Sequence, residues 1–455
     1  MLARRLSLPV IFALLASMAS AQETAGAAAA PVIDKGDSAW MIVATALVLL
    51  MTPALALFYG GMVHRKNVLN TMLMSFLMMG VVSVLWVLVG YSLSFGKSSN
   101  GWIGGFEYLL GNGISVTTPY GTQTIPAALF MLFQMKFAII TPALISGAIA
   151  ERAKLRGYLV LMTLWSILVY APIACWVWNA DGWLYKLGAL DFAGGTVVHL
   201  ASGVSALALC FVIGQRKSAT PPPNNITLTL LGAGLLWFGW FGFNAGSALA
   251  MNDVAITAFL TTHVAAAAGM CSWLVAERWR GGKMTAIGGA SGLVSGLVVI
   301  TPAAGFVGVG AAILMGLIAG VACYFGIHLK HRLGYDDALD VVGIHGFGGL
   351  LGAILTGVFA DVTVNKAVVE PALAAGRFAL IGKQLAAVGA VALFVLVATW
   401  VLAKIVDALL GLRVDDSVEE LGLDAKVHGE SGYGLDEPAF VGAIPDESVA
   451  GALKG

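Results

Sequence analysis

Charge is scarce in this chain. Only 11% of its residues are Asp, Glu, Lys or Arg, while 59% are hydrophobic. That balance excludes an ordinary soluble domain, in which roughly a quarter of residues are charged. The charges present also cancel, 25 basic against 25 acidic, and the basic ones are spread over loops. Nucleic acid is therefore not an expected partner. Cysteine is equally sparse. Cys175, Cys210, Cys271 and Cys323 are scattered through apolar segments, with no CxxC pair and no metal-ligand spacing. They read as small core residues, which excludes a disulfide framework and a zinc site.

What fills the space is apolar helix. Runs of about 20 apolar residues, the length that crosses a hydrocarbon core, recur along most of the chain. The expected fold is an all-α polytopic membrane protein. From Trp40 onward eleven spans are expected, roughly at 38–63, 68–95, 124–150, 157–178, 192–214, 226–250, 255–278, 284–301, 305–328, 340–360 and 378–408. Ahead of them, Arg4 and Arg5 precede the short apolar run LPVIFALLASMAS and the small-x-small triplet Ala19-Ser20-Ala21. This is the pattern of a cleaved signal peptide over residues 1–21, an uncleaved first span being the alternative.

A cleaved signal puts the mature N-terminus outside. The loops then predicted to be cytoplasmic carry twelve basic residues, from Arg65 and Lys66 through Arg152, Arg216 and Arg278 to Arg332. The opposite loops hold four, Lys97, Lys186, Lys366 and Arg377. Basic residues collect on the cytoplasmic side of short loops, so the two readings agree and the C-terminus falls inside.

The run Thr220-Pro221-Pro222-Pro223-Asn224-Asn225 separates spans five and six, since consecutive prolines favour an extended connector. Five spans on each side require inverted topology, a recurrent transporter plan. The expected repeats cover about 38–214 and 226–360, followed by the extra helix 378–408 and a polar cytoplasmic tail, 409–455. From Gly411 on, that tail holds ten acidic residues against three basic ones, and is either solvating or a docking element.

Two histidines interrupt the apolar pattern, His199 in DFAGGTVVHLASG and His345 in DVVGIHGFGG, in the last span of each half. Each follows an aspartate, Asp191 and Asp340, with no charge between. Ionisable residues in spans mark transport paths or proton relays by default. Paired imidazoles can share a hydrogen bond, offer polar edges to a small solute and exchange a proton. They suit a small, weakly basic, hydrogen-bonding substrate better than a hydrated metal ion. His263, in TTHVAAAAGM, lacks the aspartate and the glycine cluster, and takes a core or helix-packing reading.

The second constellation is aromatic. GLLWFGWFGFNAGSALA places Phe243 and Ser247 one helical turn apart, and FQMKFAIITPALISG does the same for Phe133 and Phe137. Aromatic faces attract desolvated cations, and a hydroxyl can accept a hydrogen bond from one. Lys136, between Phe133 and Phe137, is expected to snorkel to the interface, and Trp102, Trp165 and Trp279 to form an interfacial belt or to pack against lipid.

The segments ALFYGGMVHRKN, FQMKFAIITPALISGAIAER, DFAGGTVVHLASG, GWFGFNAGSA and DDALDVVGIHG, with GLRV and HGESGY in the tail, resemble the ammonium transporter family (Amt/Mep/Rh), on its bacterial Amt branch. The resemblance runs from about Trp40 to Tyr433; residues from Glu437 on have no counterpart in it. It implies an eleven-span homotrimer in the bacterial inner membrane, with one pore per subunit. It also implies ammonium or ammonia as substrate, methylammonium as an analogue, and a PII signalling protein at the cytoplasmic face. Residue by residue it assigns Phe137, Trp178 and Ser247 to external recruitment, and Phe137 and Phe243 to a phenyl gate. His199, His345 and Trp240 are assigned to the pore, and Asp191 to structural support. Trp176 and Trp183 are the alternatives to Trp178, because the following loop is one residue longer than the family pattern. The expected activity is capture of ammonium, deprotonation, and passage of ammonia along the histidines. An ammonium sensor signalling through its tail and a gas channel of the Rh type are the other readings. An ion channel would need rings of carbonyls or carboxylates that these spans do not show.

Overall fold

Eleven apolar helices carry the fold in a computed structural model that describes residues 31–217 and 222–433. They are α1 Lys35–Met62, α2 Arg65–Phe95, α3 Ala127–Ile149, α4 Leu155–Leu187, α5 Gly195–Ile213, α6 Ile226–Ala248, α7 Asp253–Trp279, α8 Ala286–Ile300, α9 Val309–Leu333, α10 Val342–Phe359 and α11 Arg377–Leu410. Ten are long and apolar enough to cross a membrane; α8, with 15 residues, is shorter. The chain is a multi-pass membrane protein, and the described residues contain no strand. The signal-peptide reading falls on residues 1–21, and the tail beyond Tyr433 on 434–455, both outside the described residues. So does part of the proline connector, residues 218–221.

Helix ends follow local chemistry. Asn225, Asn252 and Thr285 cap α6, α7 and α8 by accepting the N–H of Leu228, Ala255 and Gly288, which satisfies donors left over at a helix start. α4 breaks at Asn179, whose side chain instead donates to the carbonyls of Ser94 and Gly96 at the end of α2.

Close packing depends on glycine where the two halves meet. A Cβ on Gly203 of α5 would overlap the backbone of Gly346, at the start of α10, and one on Gly349 would strike the backbone of Gly195 and Leu200. With no side chain between them the two helices touch backbone to backbone, as membrane helices with small residues do. Both helices also open with a π-helical turn, Gly195–Leu200 and Val342–Gly346, and each turn contains its histidine. Such turns widen the helix locally and are frequent at functional sites.

Two expectations change here. Trp165 is not interfacial: it is fully buried and its indole donates to Ser205 and Thr399, whereas Trp102 and Trp279 are exposed. Cys271 is exposed, unlike the three other cysteines, because it lies on the outward face of α7. His263 is likewise on the outside of α7, its ring stacked 5.1 Å from Trp237 of α6. Helix packing accounts for it, and a core position does not. Lys136 is half-buried near the Met135 sulfur, with no carboxylate beside it among the described residues.

The tail, over residues 411–433, docks on one end of the bundle. Leu412 and Val414 exchange backbone hydrogen bonds with Lys154 and Arg152, Asp424 accepts the N–H of Leu69 and Asn70, and Tyr433 donates to Asn224. Arg413 reaches the carbonyls of Ile213 and Gln215.

Candidate functional site

The site begins with Asp191, in the turn before α5. Its carboxylate accepts four backbone N–H groups, from Gly194, Gly195, Thr196 and Val197, at 2.7–3.1 Å. A carboxylate offers about four lone-pair sites, so this one is spent on the helix start, where negative charge is also favoured by the helix dipole. The Asp191 carbonyl accepts the Trp178 indole N–H at 3.0 Å. One residue thus starts the His199 helix and fixes a tryptophan.

Trp178 meets Phe137 edge-on, with centroids 5.6 Å apart. Trp176 points elsewhere, donating to the Trp102 carbonyl and packing on Phe394, and Trp183 packs on Trp102 and Trp176. Phe137, Trp178 and Ser247 line one cavity of about 750 Å³ at this end of the bundle. The Ser247 hydroxyl donates to the Phe243 carbonyl at 2.8 Å, which leaves its lone pairs for a donor.

Beneath the cavity Phe137 and Phe243 lie 4.4 Å apart, tilted by 39° and fully buried. Below Phe243 is a second, enclosed space of about 10 Å³ lined by Leu55, Ile140, Val294, Trp240 and both histidines. That is about one water-sized probe, walled by apolar groups. The His199 and His345 rings are stacked at 5.2 Å with their Nδ1 atoms 3.2 Å apart, so one Nδ1–H donates to the other. His199 Nε2 is buried without a partner among the described residues. Trp240 stacks on His199 at 5.3 Å and is held by an indole hydrogen bond to Thr301, 2.9 Å.

The structure corrects the partner of His345. Asp340 does not support that helix: it adopts a left-handed backbone and pairs with Lys330 at 2.6 Å. The counterpart of Asp191 is Asp337, almost fully buried, which accepts the N–H of Val341 and Val342 at 3.1 and 2.7 Å. Asp191 precedes His199 and Asp337 precedes His345 by the same eight positions. The spacing was available in the sequence, but three aspartates in DDALD obscured it.

Composition also gave no sign of a charge hub at the tail-side end. Arg216 is clamped between Glu151 at 2.7 Å and Asp336 at 2.8 Å, with only 7% of its side chain exposed. Glu151, in a left-handed conformation, also accepts from His64 and Asn67. Burial pushes the Asp336 carboxyl up, but its hydrogen bonds and charge pairing with Arg216 hold it down at about 2. Arg152, completely buried, donates to three carbonyls in the same place. Four loops and the docked tail therefore converge here. Basic residues read only as markers of orientation are in part structural.

Comparisons with known proteins agree with this arrangement. The family model described as Ammonium Transporter Family matches residues 39–433. An ammonium transporter of Bacillus subtilis is 50% identical over 403 residues, covering 88% of this chain and 99% of the relative. One from Aquifex aeolicus is 46% identical, covering 94% and 98%. Among solved structures, Saccharomyces cerevisiae Mep2 superposes with a TM-score of 0.77 at 37% identity, covering 84% of this chain and 88% of that one. A structure titled Sensor Amt Protein gives 0.79 at 27% identity, covering 86% and 98%. With a family match over nearly all the described residues, half-identical relatives and the same helical frame, this chain belongs to the ammonium transporter family.

Proposed function

We propose that this protein carries ammonium across the bacterial inner membrane by capturing NH4+, passing its proton to water in the outer cavity or along a separate route, and conducting NH3. The observation that carries this reading is the stacked pair His199–His345, sealed in an apolar space under an aromatic cavity. Capture falls to Phe137, Trp178 and Ser247: ring faces attract a cation that has shed water, and the Ser247 lone pairs accept one of its N–H groups. The Phe137–Phe243 pair closes the way below. A bare ion would meet a large desolvation penalty there, whereas neutral ammonia would not. Below the gate, the unpartnered Nε2 of His199 can accept a hydrogen bond from ammonia, and the shared Nδ1 proton keeps both rings oriented. Trp240 and Asp191 act by position, the first by packing on His199 and the second by holding its helix.

In this reading α8 is the eleventh crossing, and spans one to five and six to ten are inverted repeats. Matched π-helical turns and matched aspartates eight positions before each histidine support that symmetry. The mature N-terminus is then external, and the tail-side end is cytoplasmic, where a PII protein would dock on a homotrimer. Methylammonium serves as analogue. The test uses the purified protein in liposomes, recording current on an ammonium jump and uptake of methylammonium, for wild type and His199→Ala. The expected result is loss of most of the ammonium-specific signal in the variant. Unchanged uptake and current would remove the histidine pair from the pathway.

A further inference from the structure

We infer that Gln134 is a binding residue of the outer site, its amide oxygen accepting a hydrogen bond from the entering ammonium ion. The inference rests on the transport reading above and asks what, besides rings, holds the cation there. An ion entering this cavity meets one carboxylate among the described residues, Asp191, whose oxygens already take four backbone N–H groups. Charge pairing is thereby removed from recognition, and neutral acceptors must replace it. Ser247 supplies one, its hydroxyl hydrogen being committed to the Phe243 carbonyl. Asn252 supplies none through its side-chain oxygen, which caps α7.

Gln134 remains. It lines the same cavity, three residues before Phe137 on α3 and so on the same helix face, one turn further out. Its side-chain oxygen is buried and has no hydrogen-bond partner among the described residues. A buried acceptor left unpaired is uncommon and costly, and calls for a donor that the protein alone does not provide. The terminal torsion of glutamine is soft, so a half-turn exchanges oxygen and nitrogen and aims the carbonyl at a donor from the cavity. Ammonium has four N–H groups. One can go to Ser247, one to Gln134, and the rest to water in the cavity, with Phe137 and Trp178 against the charge. Methylammonium keeps three N–H groups, enough for Ser247 and Gln134 together, with its methyl in place of a water contact. The amide contact is therefore open to ammonium and to its methylated analogue alike.

The experiment measures concentration dependence of ammonium current and of methylammonium uptake in proteoliposomes, for wild type, Gln134→Leu and Gln134→Met. Losing a hydrogen bond to a cation should raise the apparent KM for ammonium about tenfold or more. Maximal rate should change little, and the KM for methylammonium should rise alongside that for ammonium. The unbranched Met variant gives the same readout should Leu disturb α3. An ammonium KM within about twofold of wild type, or a fall in maximal rate with KM unchanged, would overturn the role of Gln134. A wild type that carries neither current nor uptake would instead overturn the transport reading beneath it.

Discussion

Asp191 shows how little a carboxylate in a membrane site need have to do with charge itself. Its oxygens are consumed by the N–H groups that begin α5, and its carbonyl holds Trp178. Asp191→Asn keeps the shape but aims an amide donor at backbone donors, leaving at least one N–H unpaired. The expected cost is about 1–3 kcal/mol of stability. Trp178 should loosen as well, raising the apparent KM for ammonium before the maximal rate collapses. Thermal unfolding in detergent, followed by current measurements in liposomes, checks both effects; an unaltered melting temperature would contradict the capping account. At this scale much of the site is visible in the sequence. A histidine in an apolar span stands out, and ring-and-hydroxyl spacing puts Phe243 and Ser247 on one face. Asp337 was hidden because DDALD offers several carboxylates, and only the backbone path decides which one faces the helix start. Gln134 was hidden for a different reason. A lone amide between phenylalanines carries no signal until its lack of partners is known.

The elements were legible to the extent that the bilayer dictates their length. Apolar runs predict the helices well, because each must bury its own backbone polar groups across the same thickness. What hydropathy cannot reveal is which face turns inward. Trp165 has the same composition whether it sits at an interface or in the core. The difference lies in Ser205 and in Thr399 of α11, the latter far away in sequence. Glycine raises the same ambiguity. Of the 57 in the chain, few can be ranked by sequence, yet Gly203 lies where α5 and α10 touch backbone to backbone. That contact holds the histidine turns together. Gly203→Leu should force the helices apart and abolish transport, with poor recovery of folded protein. Gly203→Ala should be damaging but milder, because a single Cβ still meets the Gly346 backbone. Comparing yield, thermal stability and methylammonium uptake for the pair tests this ordering. A fully active leucine variant would show that the crossing does not set the distance between the rings.

On the scale of the whole molecule, two kinds of chemistry divide the protein along its length. The vestibule is lined mostly by rings and neutral hydrogen-bonding groups, whereas the tail-side end is tied by buried ion pairs. There Arg216 joins Glu151 to Asp336, and Arg413 joins the tail to the same loops and to Glu419. Asp336 adjoins Asp337, so the ion cluster continues directly into the start of the His345 helix. Removing one partner from a buried pair leaves a charge unpaired, and Arg216→Ala should therefore destabilise the protein by about 3–5 kcal/mol. Its pH dependence follows from the Asp336 carboxyl, held at about 2 in the folded protein. A depressed carboxyl contributes its stability in full above its unfolded value of roughly 3.9 and loses it as pH falls toward the folded value. Between pH 5 and 8 the difference in melting temperature between wild type and Arg216→Ala should accordingly stay constant. It should shrink only in strong acid, where the pair in the wild type is itself being protonated. A gap that closed already between pH 7 and 5 would mean that some other titrating group, and not the Arg216–Asp336 pair, holds the loops together.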